Sequence, residues 1–334
     1  MKAIKGVKQL AKFGFNLAAS QYGEHNRATR EAKLWVLMYH RILPKSDPRF
    51  ALEEPGMVVT PEVLAMHLRE AKKLFEMVSL SDWLAKVDSG QSLPAKACAI
   101  TFDDGWLDNY QYALPILQQQ QVPATLFAVA DKIGTPFRFW PNIVSELIAL
   151  KSVALNKHPL LAEAAQLIER PYSVERVAHC IARLKAHTED ELFAALDAIG
   201  WSGELASTAP ALMDWRQLTA LLHSGLIEIG SHTCTHRRLN NGLEASLVEY
   251  EITTSKTKLD QQLNTNIALF CFPNGDYNAD VLQRVRQTYQ AAVTTQRGIN
   301  RLASLQRHEL LRIALHNDAS DTPTKFRARL AGWW

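Results

Sequence analysis

Short runs of apolar residues recur along this chain, and most of them end at a polar or charged residue. The run at 34–39 ends at His40, the run at 95–102 ends at Asp103, and the run at 226–230 ends at Ser231-His232. Runs of this length without polar alternation predict strands that are buried on both faces. Further strands are predicted at 124–130, 267–272, 291–295 and 310–315, and the last of them ends at His316.

Stretches with helical spacing separate these runs. Thr60-Pro61 combines a capping residue with a first-turn proline, and the apolar positions that follow predict a helix with one buried face. Other helices are predicted after residue 105 and after residue 236. Alternating strands and helices predict an α/β fold, whose functional residues gather at the C-terminal ends of the strands.

Residues 140–212 interrupt this alternation. They are rich in Ala, Leu, Glu and Lys and predict several helices but no strand. Because the alternation resumes afterwards, we interpret them as a helical insertion into one domain at 31–334. Residues 1–30 form a separate basic amphipathic segment, since Lys2, Lys5, Lys8 and Lys12 recur at helical spacing.

Composition excludes several classes of protein. The chain has 334 residues, of which 47% are hydrophobic, and a net charge of +3, which is too mild to indicate a nucleic-acid partner. The four cysteines form no CxxC pair, so we expect buried free thiols. No uncharged apolar run reaches the roughly 18 residues of a spanning helix. The basic segment fits either peripheral contact with an anionic membrane or a solvated leader. We expect a protein that is cytoplasmic or peripheral at the cytoplasmic membrane, with export left open.

Metal-ligand residues follow two of the predicted strands. Asp103-Asp104-Gly105 alone is also typical of a turn, and His232 and His236 alone could be surface histidines. Together, two imidazoles at His-x-x-x-His spacing and one carboxylate can hold a divalent ion with an open position for water. The other carboxylate can then act as a base and a histidine as an acid, which are the groups that amide hydrolysis requires.

Residues 101–106 (TFDDGW) and 231–236 (SHTCTH) resemble the first two motifs of the polysaccharide deacetylases. The resemblance extends from about residue 34 to about residue 319, apart from the insertion. It implies a distorted (β/α) barrel of about seven parallel strands. It also implies that Asp103 is the catalytic base and that Asp104, His232 and His236 bind the metal. Zinc is the first expectation, with nickel, cobalt or manganese as alternatives.

Residues 272–277 (FPNGDY) resemble the third motif of that family, which lines the pocket for the acetyl group and sugar. The implied substrate-binding residues are Pro273, Asn274, Gly275 and Tyr277. Trp106 is a separate candidate for stacking on a sugar face, with core or rim packing as the alternative interpretation. Many members carry an arginine two residues before the proline, where it supports the base, but this chain has Cys271 there. Arg312 is a candidate substitute, and a structural salt bridge is the alternative interpretation.

Two histidines are candidates for the general acid. Many family members place the acid on the last strand, which implies His316. However, residues 36–40 (VLMYH) are similar to the start of a circularly rearranged subset that resembles poly-N-acetylglucosamine deacetylases. In that subset this histidine is the acid, so we prefer His40.

The resemblance implies metal-dependent hydrolysis of the N-acetyl group of an N-acetylhexosamine, in a polysaccharide or a lipid-linked glycan. The alternatives are an O-acetyl esterase or an amidohydrolase of the same mechanism with a non-sugar substrate. A catalytically dead binding module is disfavoured by the intact motif residues. We further expect the insertion to form a cap or one wall of the substrate groove. Several histidines without evident partners, His67 among them, are predicted to lie on the surface.

Overall fold

The computed structural model describes residues 2–205, 210–240 and 242–333, with side chains described from residue 11 onward. The strands are β1 (Lys33–Tyr39), β2 (Arg41–Ile42), β3 (Val58–Val59), β4 (Glu76–Met77), β5 (Lys96–Phe102), β6 (Ala124–Ala128), β7 (Ile227–Ser231), β8 (Leu269–Cys271), β9 (Ala291–Arg297), β10 (Asn300–Arg301) and β11 (Leu310–Ala314). The α-helices are α1 (Lys2–Tyr22), α2 (Pro61–Leu74), α3 (Leu80–Asp88), α4 (Leu114–Gln120), α5 (Trp140–Ala149), α6 (Ala162–Leu167), α7 (Val174–Leu184), α8 (Glu189–Ala198), α9 (Trp201–Glu204), α10 (Trp215–His223), α11 (Ala245–Glu249), α12 (Ser255–Leu263), α13 (Ala279–Thr288), α14 (Asn317–Ser320) and α15 (Pro323–Arg329).

Seven parallel strands close into a barrel, as the sequence predicts. They pair in the order β1, β5, β6, β7, β8, β9 and β11, and β11 pairs with β1 to complete the ring. The short strands β10 and β4 extend the edges of β1 and β5. The barrel strands are almost wholly buried because helices cover their outer faces, which explains their continuous apolar sequences.

The strand register sets the positions of the polar residues. β1 and β5 pair from Lys33↔Lys96 to Tyr39↔Phe102, so both strands end at the same level. His40 and Asp103, the next residue of each strand, therefore lie side by side at the C-terminal end of the barrel. β7 pairs with β6 up to Ser231↔Ala128, which brings His232 to the same end of the barrel. The C-terminal edge of the parallel strands thus collects chain segments that lie far apart in the sequence.

Helix α2 begins as predicted. The Thr60 side chain accepts a hydrogen bond from the Val63 N–H, and Pro61 occupies the first turn. The prediction that His67 lies on the surface is wrong, because it is fully buried on the inner face of this helix. Its Nδ1 lies 3.1 Å from the Tyr39 hydroxyl, and its Nε2 lies 2.6 Å from the carbonyl of Ser320. Hydrogen bonds at both nitrogens make a buried histidine acceptable there.

The segment from 140 to 205 contains five helices, α5 to α9, and these build a hydrophobic core of their own. Trp140, Leu147, Ile181 and Leu196 belong to this core, which is distinct from the core around the barrel. Within the described part of 140–212 no strand forms, and the nearest feature is an isolated bridge between Trp106 and Leu212. The four cysteines are free and buried, as predicted.

Helix α1 packs beside α15, where Ala19 contacts the small residues Ala328 and Ala331. Among the described residues, no helix combines the length and apolar character needed to cross a bilayer. Most side chains from 11 to 17, in the middle of this helix, are exposed. Of the side chains described for this helix, those of Ala19 and Ser20 near its end are buried.

Candidate active site

A cavity of about 330 Å³ opens at the C-terminal end of the barrel. Its lining residues come from the barrel strand ends, from the loop at 52–57 and from the helical segment that starts at Trp140. The sequence-predicted residues among them are His40, Asp103, Asp104, Trp106, His232, His236 and Asn274. Arg312 lies directly behind this set, against Asp103.

Three side chains converge on one point at the cavity floor. Asp104 Oδ1 lies 3.3 Å from Nε2 of His232 and 3.3 Å from Nε2 of His236. The three ligand atoms lie within 4.8 Å of one another, which is close enough for one ion to contact all of them. His232 donates from Nδ1 to the carbonyl of Cys271 over 2.8 Å, so Nε2 is free to bind a metal.

The backbone around these residues is strained. Asp104, Thr233 and His236 have φ values of 77°, 66° and 65°, in the left-handed region that non-glycine residues rarely adopt. Each such residue costs on the order of 1–3 kcal/mol, and such strain is concentrated at functional sites. The Asp104 carboxylate is also held by Trp106, whose Nε1 donates to Oδ2 over 2.7 Å. The ligand positions are thus set by the surrounding fold.

Electrostatics at this point favour a cation. Burial alone would raise the pKa of Asp104, but hydrogen bonds from His232 and His236 lower it well below its usual range. Burial lowers the pKa of His232, while Cys271 and Asp104 raise it by more. One carboxylate with two imidazoles is the donor set of a catalytic zinc site with an open position, so a divalent cation fits these residues.

Asp103, His232 and Cys271 form a second group whose ligand atoms are equally close. The Arg312 guanidinium already occupies this side. It donates to Asp103 Oδ1 and Oδ2 over 2.7 and 2.8 Å and contacts Cys271 Sγ at 3.3 Å. A cation there would face a buried positive charge, so the group around Asp104 is the better metal site.

Arg312 is completely buried and fully bonded. Beyond Asp103 it donates to the carbonyl of Thr294 over 2.7 Å and to the hydroxyl of Thr101 over 3.2 Å. Burial alone would raise the pKa of Asp103, but the guanidinium outweighs it and lowers that pKa. Asp103 is therefore an ionised carboxylate beside the three-ligand group, held by a bidentate ion pair.

The two candidate acids lie in different surroundings. His40 lines the cavity, and its Nε2 lies 3.7 Å from Asp103 Oδ2. His316 is not among the lining residues described, and its Nδ1 lies 3.3 Å from Asp318 at the start of α14. The structure therefore brings His40, and not His316, to the group at the cavity floor.

The implied substrate-binding residues are only partly assembled. Asn274 and Trp106 line the cavity, although Trp106 is only 2% exposed. Pro273, Gly275 and Tyr277 are not among the lining residues described. Tyr277 instead stacks on Phe272 and donates to Glu309. Gly275 is required for packing, because a Cβ there would lie 2.0 Å from Thr295 Oγ1.

A buried ionic cluster beside the site has no counterpart in the sequence analysis. Arg41 lies 4.2 Å above the Trp106 ring and donates to Asp108 over 2.9 Å and to Glu53. Asn142 donates to Glu53 over 2.7 Å. The cluster thus connects the ring that holds Asp104 to the helical segment. The sequence does show a charged residue, Arg41, directly after the candidate acid His40, which could have indicated a buried ion pair beside the site.

The segment from 140 to 205 lines part of the cavity. Its lining residues are Trp140, Pro141, Asn142, Lys185, Glu189 and Phe193. Two arginines directly after His236 bind the first turn of α8: Arg237 donates to both oxygens of Asp190, and Arg238 donates to Glu189 over 2.5 Å. Phe139 contacts the His236 ring edge-on, with centroids 4.9 Å apart. These contacts join residues that lie 47 or more positions apart, so no local sequence pattern predicts them.

Comparisons with known proteins agree with this geometry. The family model described as polysaccharide deacetylase matches residues 90–293. A curated relative is YxkH of Bacillus subtilis, which carries a provisional polysaccharide deacetylase name. It is 24% identical over 285 residues, covering 81% of this chain and 68% of the relative.

Solved structures of several bacterial deacetylases share the fold. The deacetylase PplD of Streptococcus pyogenes, in complex with acetate, is 20% identical with a TM-score of 0.59, covering 90% of this chain and 99% of that chain. IcaB from Ammonifex degensii is 18% identical with a TM-score of 0.57, covering 89% of this chain and 97% of that chain. At such identities the likeness concerns the fold.

Proposed function

Because this chain belongs to the polysaccharide deacetylase family, we propose that it hydrolyses the N-acetyl group of an N-acetylhexosamine in a polysaccharide or a lipid-linked glycan. One observation carries the proposal. Asp104, His232 and His236 surround one point, and the separate ionised carboxylate of Asp103 lies beside it at the floor of a cavity. This arrangement supplies a cation site and a base, which amide hydrolysis requires.

We propose zinc as the cation, with nickel, cobalt or manganese as alternatives. Asp104, His232 and His236 would hold it. When bound, such an ion supplies Lewis-acid chemistry that polarises the acetyl carbonyl and lowers the pKa of water. All other steps belong to the chain's own residues.

Asp103 takes a proton from the attacking water, whose oxygen forms a bond to the acetyl carbon. Arg312 keeps Asp103 ionised and fixes the direction of its oxygens through the bidentate pair. The C–N bond then breaks, and His40 donates a proton to the leaving sugar nitrogen. The products are acetate and a free amino sugar. The cavity position of His40, 3.7 Å from Asp103, supports this role over His316.

A glycan substrate is supported by the cavity itself. Its volume of about 330 Å³ lies within the range of pockets that bind small molecules, near the lower limit. Phe137, Phe139 and Phe193 add aromatic surface that suits the apolar faces of sugar rings. We propose that the helical segment forms one wall of this groove. A structural neighbour from Aggregatibacter actinomycetemcomitans is named a de-N-acetylase, which favours amide over ester cleavage as the first hypothesis.

An acetate-release assay on a substrate panel tests the proposal. The panel contains N-acetylglucosamine oligomers of increasing length, O-acetylated sugars and small non-sugar acetamides. We expect acetate and a new primary amine from the oligomers, loss of both with a chelator, and recovery on adding zinc. Turnover confined to the esters or to the small amides would support the alternative function. Turnover that survives thorough metal removal would overturn the mechanism.

A further inference from the structure

A second cavity lies between α1 and the C-terminal end of the barrel. Its volume is about 230 Å³, and four cationic side chains line it, Lys12, Arg297, Lys325 and Arg329. Asp318 is the acidic residue among the lining residues described. Phe15 and Trp333 add aromatic surface, with ring centroids 6.1 Å apart. The cavity therefore combines an excess of positive charge with an apolar rim.

Two of these cations, Lys325 and Arg329, make side-chain contacts that bear on the charge of the cavity. Lys325 pairs with Asp321 over 2.6 Å. Arg329 donates to the carbonyl of Ala314 over 2.7 Å, but its Nε is buried without a hydrogen-bond partner. Burial and the nearby charge of Arg297 both lower the pKa of Arg329. An anion in the cavity would accept a charge-assisted hydrogen bond from this Arg329 nitrogen.

Helix α1 turns apolar side chains away from the protein. Phe13 and Leu17, one helical turn apart, are 64% and 42% exposed, and Phe15 and Tyr22 on the same helix are also exposed. The face that packs on α15 carries Ala19, which is small. Exposed apolar side chains of this size, clustered on one helix beside cations, are typical of a surface that contacts a membrane or another macromolecule.

We propose that α1 and the second cavity form a docking surface for an anionic phospholipid membrane. The cavity binds the phosphate of a lipid headgroup, while Phe13 and Leu17 enter the boundary between headgroups and acyl chains. A protein partner is less favoured, because cations beside exposed aromatic and aliphatic residues match the two layers of a lipid interface.

The two cavities lie next to each other. Thr295 lines the first cavity and Arg297 lines the second, on the same strand and two residues apart. Two residues of a strand span roughly 7 Å. If the proposed function holds, docking would bring the active site close to the membrane surface, where a lipid-linked or membrane-proximal glycan is presented.

Vesicle co-sedimentation with the full chain tests the docking. We compare phosphatidylcholine vesicles with vesicles that also contain phosphatidylglycerol, and expect binding to the second kind that weakens with salt. Lys12→Gln and Arg297→Gln should each weaken binding roughly fivefold, the effect of one basic residue near an anionic surface. Phe13→Ser and Leu17→Ser should each weaken it about tenfold.

Matched controls exist elsewhere on the surface. Leu150 and Val153 are 61% and 72% exposed, and their serine variants should bind like wild type. The same holds for Lys157→Gln, which removes an exposed charge from the helical segment at 140–205. The variant Asp103→Asn, without turnover, should also bind normally, so docking and the proposed hydrolysis can fail separately.

Three results would overturn the docking proposal. The first is equal binding to neutral and anionic vesicles. The second is unchanged binding by the α1 and cavity variants. The third is a wild-type chain that co-sediments with neither kind of vesicle. This result overturns the proposal whether or not a calorimetric titration shows binding of inorganic phosphate. Phosphate binding without vesicle binding would assign the cavity to a free anion instead.

Discussion

The two walls of the active-site cavity are built differently. The barrel wall presents buried ionic residues. Its central pair, Asp103 and Arg312, is almost inaccessible to solvent and is joined by two hydrogen bonds. The wall from the helical segment presents Trp140, Phe193 and Lys185, on helices with a separate core. Fixed charges suit a reaction centre because they need no rearrangement, whereas aromatic side chains on separate helices suit recognition of a substrate surface.

The two walls are nevertheless joined at the loop that follows His236. Arg237 and Arg238 directly follow His236 and bind Asp190 and Glu189 at the start of α8. Arg238 also donates to the carbonyl of Lys185 over 2.7 Å. From the sequence, the segment is expected to form a cap or one wall of the substrate groove. Through these contacts the segment also holds the loop that carries His236, so a change in either wall is expected to affect the site.

The largest expected effect comes from the barrel wall. His40→Ala removes the proposed proton donor, so kcat should fall by about 10²–10⁴-fold with little change in metal affinity. His316→Ala is the matched control and should remain within a few-fold of wild type. Steady-state kinetics on an N-acetylated oligomer measure both. Near-normal turnover by the His40 variant would remove it from the mechanism.

Acid should lower the free energy of unfolding, because the buried His67 resists protonation in the folded protein. Burial lowers the pKa of His67 to about 4, from an ordinary value near 6.5. The unfolded chain therefore binds the extra proton first, and stability is lost as the pH falls from about 6.5 to about 4. The loss approaches roughly 3 kcal/mol at the acid end. Denaturant unfolding across this range measures it.

The control for that pH dependence is His67→Gln, which should be less stable near neutral pH but should lose less on acidification. His179→Ala alters an exposed histidine and should leave the dependence intact. Identical pH profiles for wild type and His67→Gln would show that other groups cause any acid destabilisation.

A smaller effect should follow from separating the walls. The double variant Arg237→Ala/Arg238→Ala releases the His236 loop from α8, so zinc affinity should fall roughly tenfold, as for other residues that orient metal ligands. Arg183→Ala breaks an ion pair with Glu163 inside the helical segment and serves as the control. Competition with a chromogenic chelator measures both. Unchanged affinity in the double variant would make the segment a wall only.

The smallest effect should come from the helical wall alone. Phe193→Ala removes aromatic surface from the cavity, so KM for an oligomer should rise several-fold, up to about tenfold, while kcat stays constant. Leu150→Ala, on the exposed surface of the same segment, is the control. A fall in kcat with unchanged KM would assign Phe193 to the reaction centre instead.

The sequence predicts the barrel and the floor of its site because both depend on local patterns. Apolar runs reveal the strands, and Asp103, Asp104, His232 and His236 directly follow them, so parallel pairing alone brings these residues together. The family resemblance adds roles to these positions, but position and chemistry already suggest a metal site.

The remaining features depend on partners far away along the chain. Arg41 binds Asp108, 67 residues later, and Arg237 binds Asp190, 47 residues earlier. No local pattern reveals such pairs. The same applies to His67, whose burial depends on Ser320 and Phe326, near the other end of the sequence. These long-range contacts were therefore harder to predict than the residues at the floor of the site.

Metal binding by paired aspartate variants tests the central claim most directly. Calorimetric titration of the metal-free chain should show one zinc ion per wild-type chain. Asp104→Asn should lose this binding, while Asp103→Asn should retain it and lose turnover. Equal retention of zinc in both variants, or equal loss in both, would contradict a site in which one carboxylate binds the metal and its neighbour acts as the base.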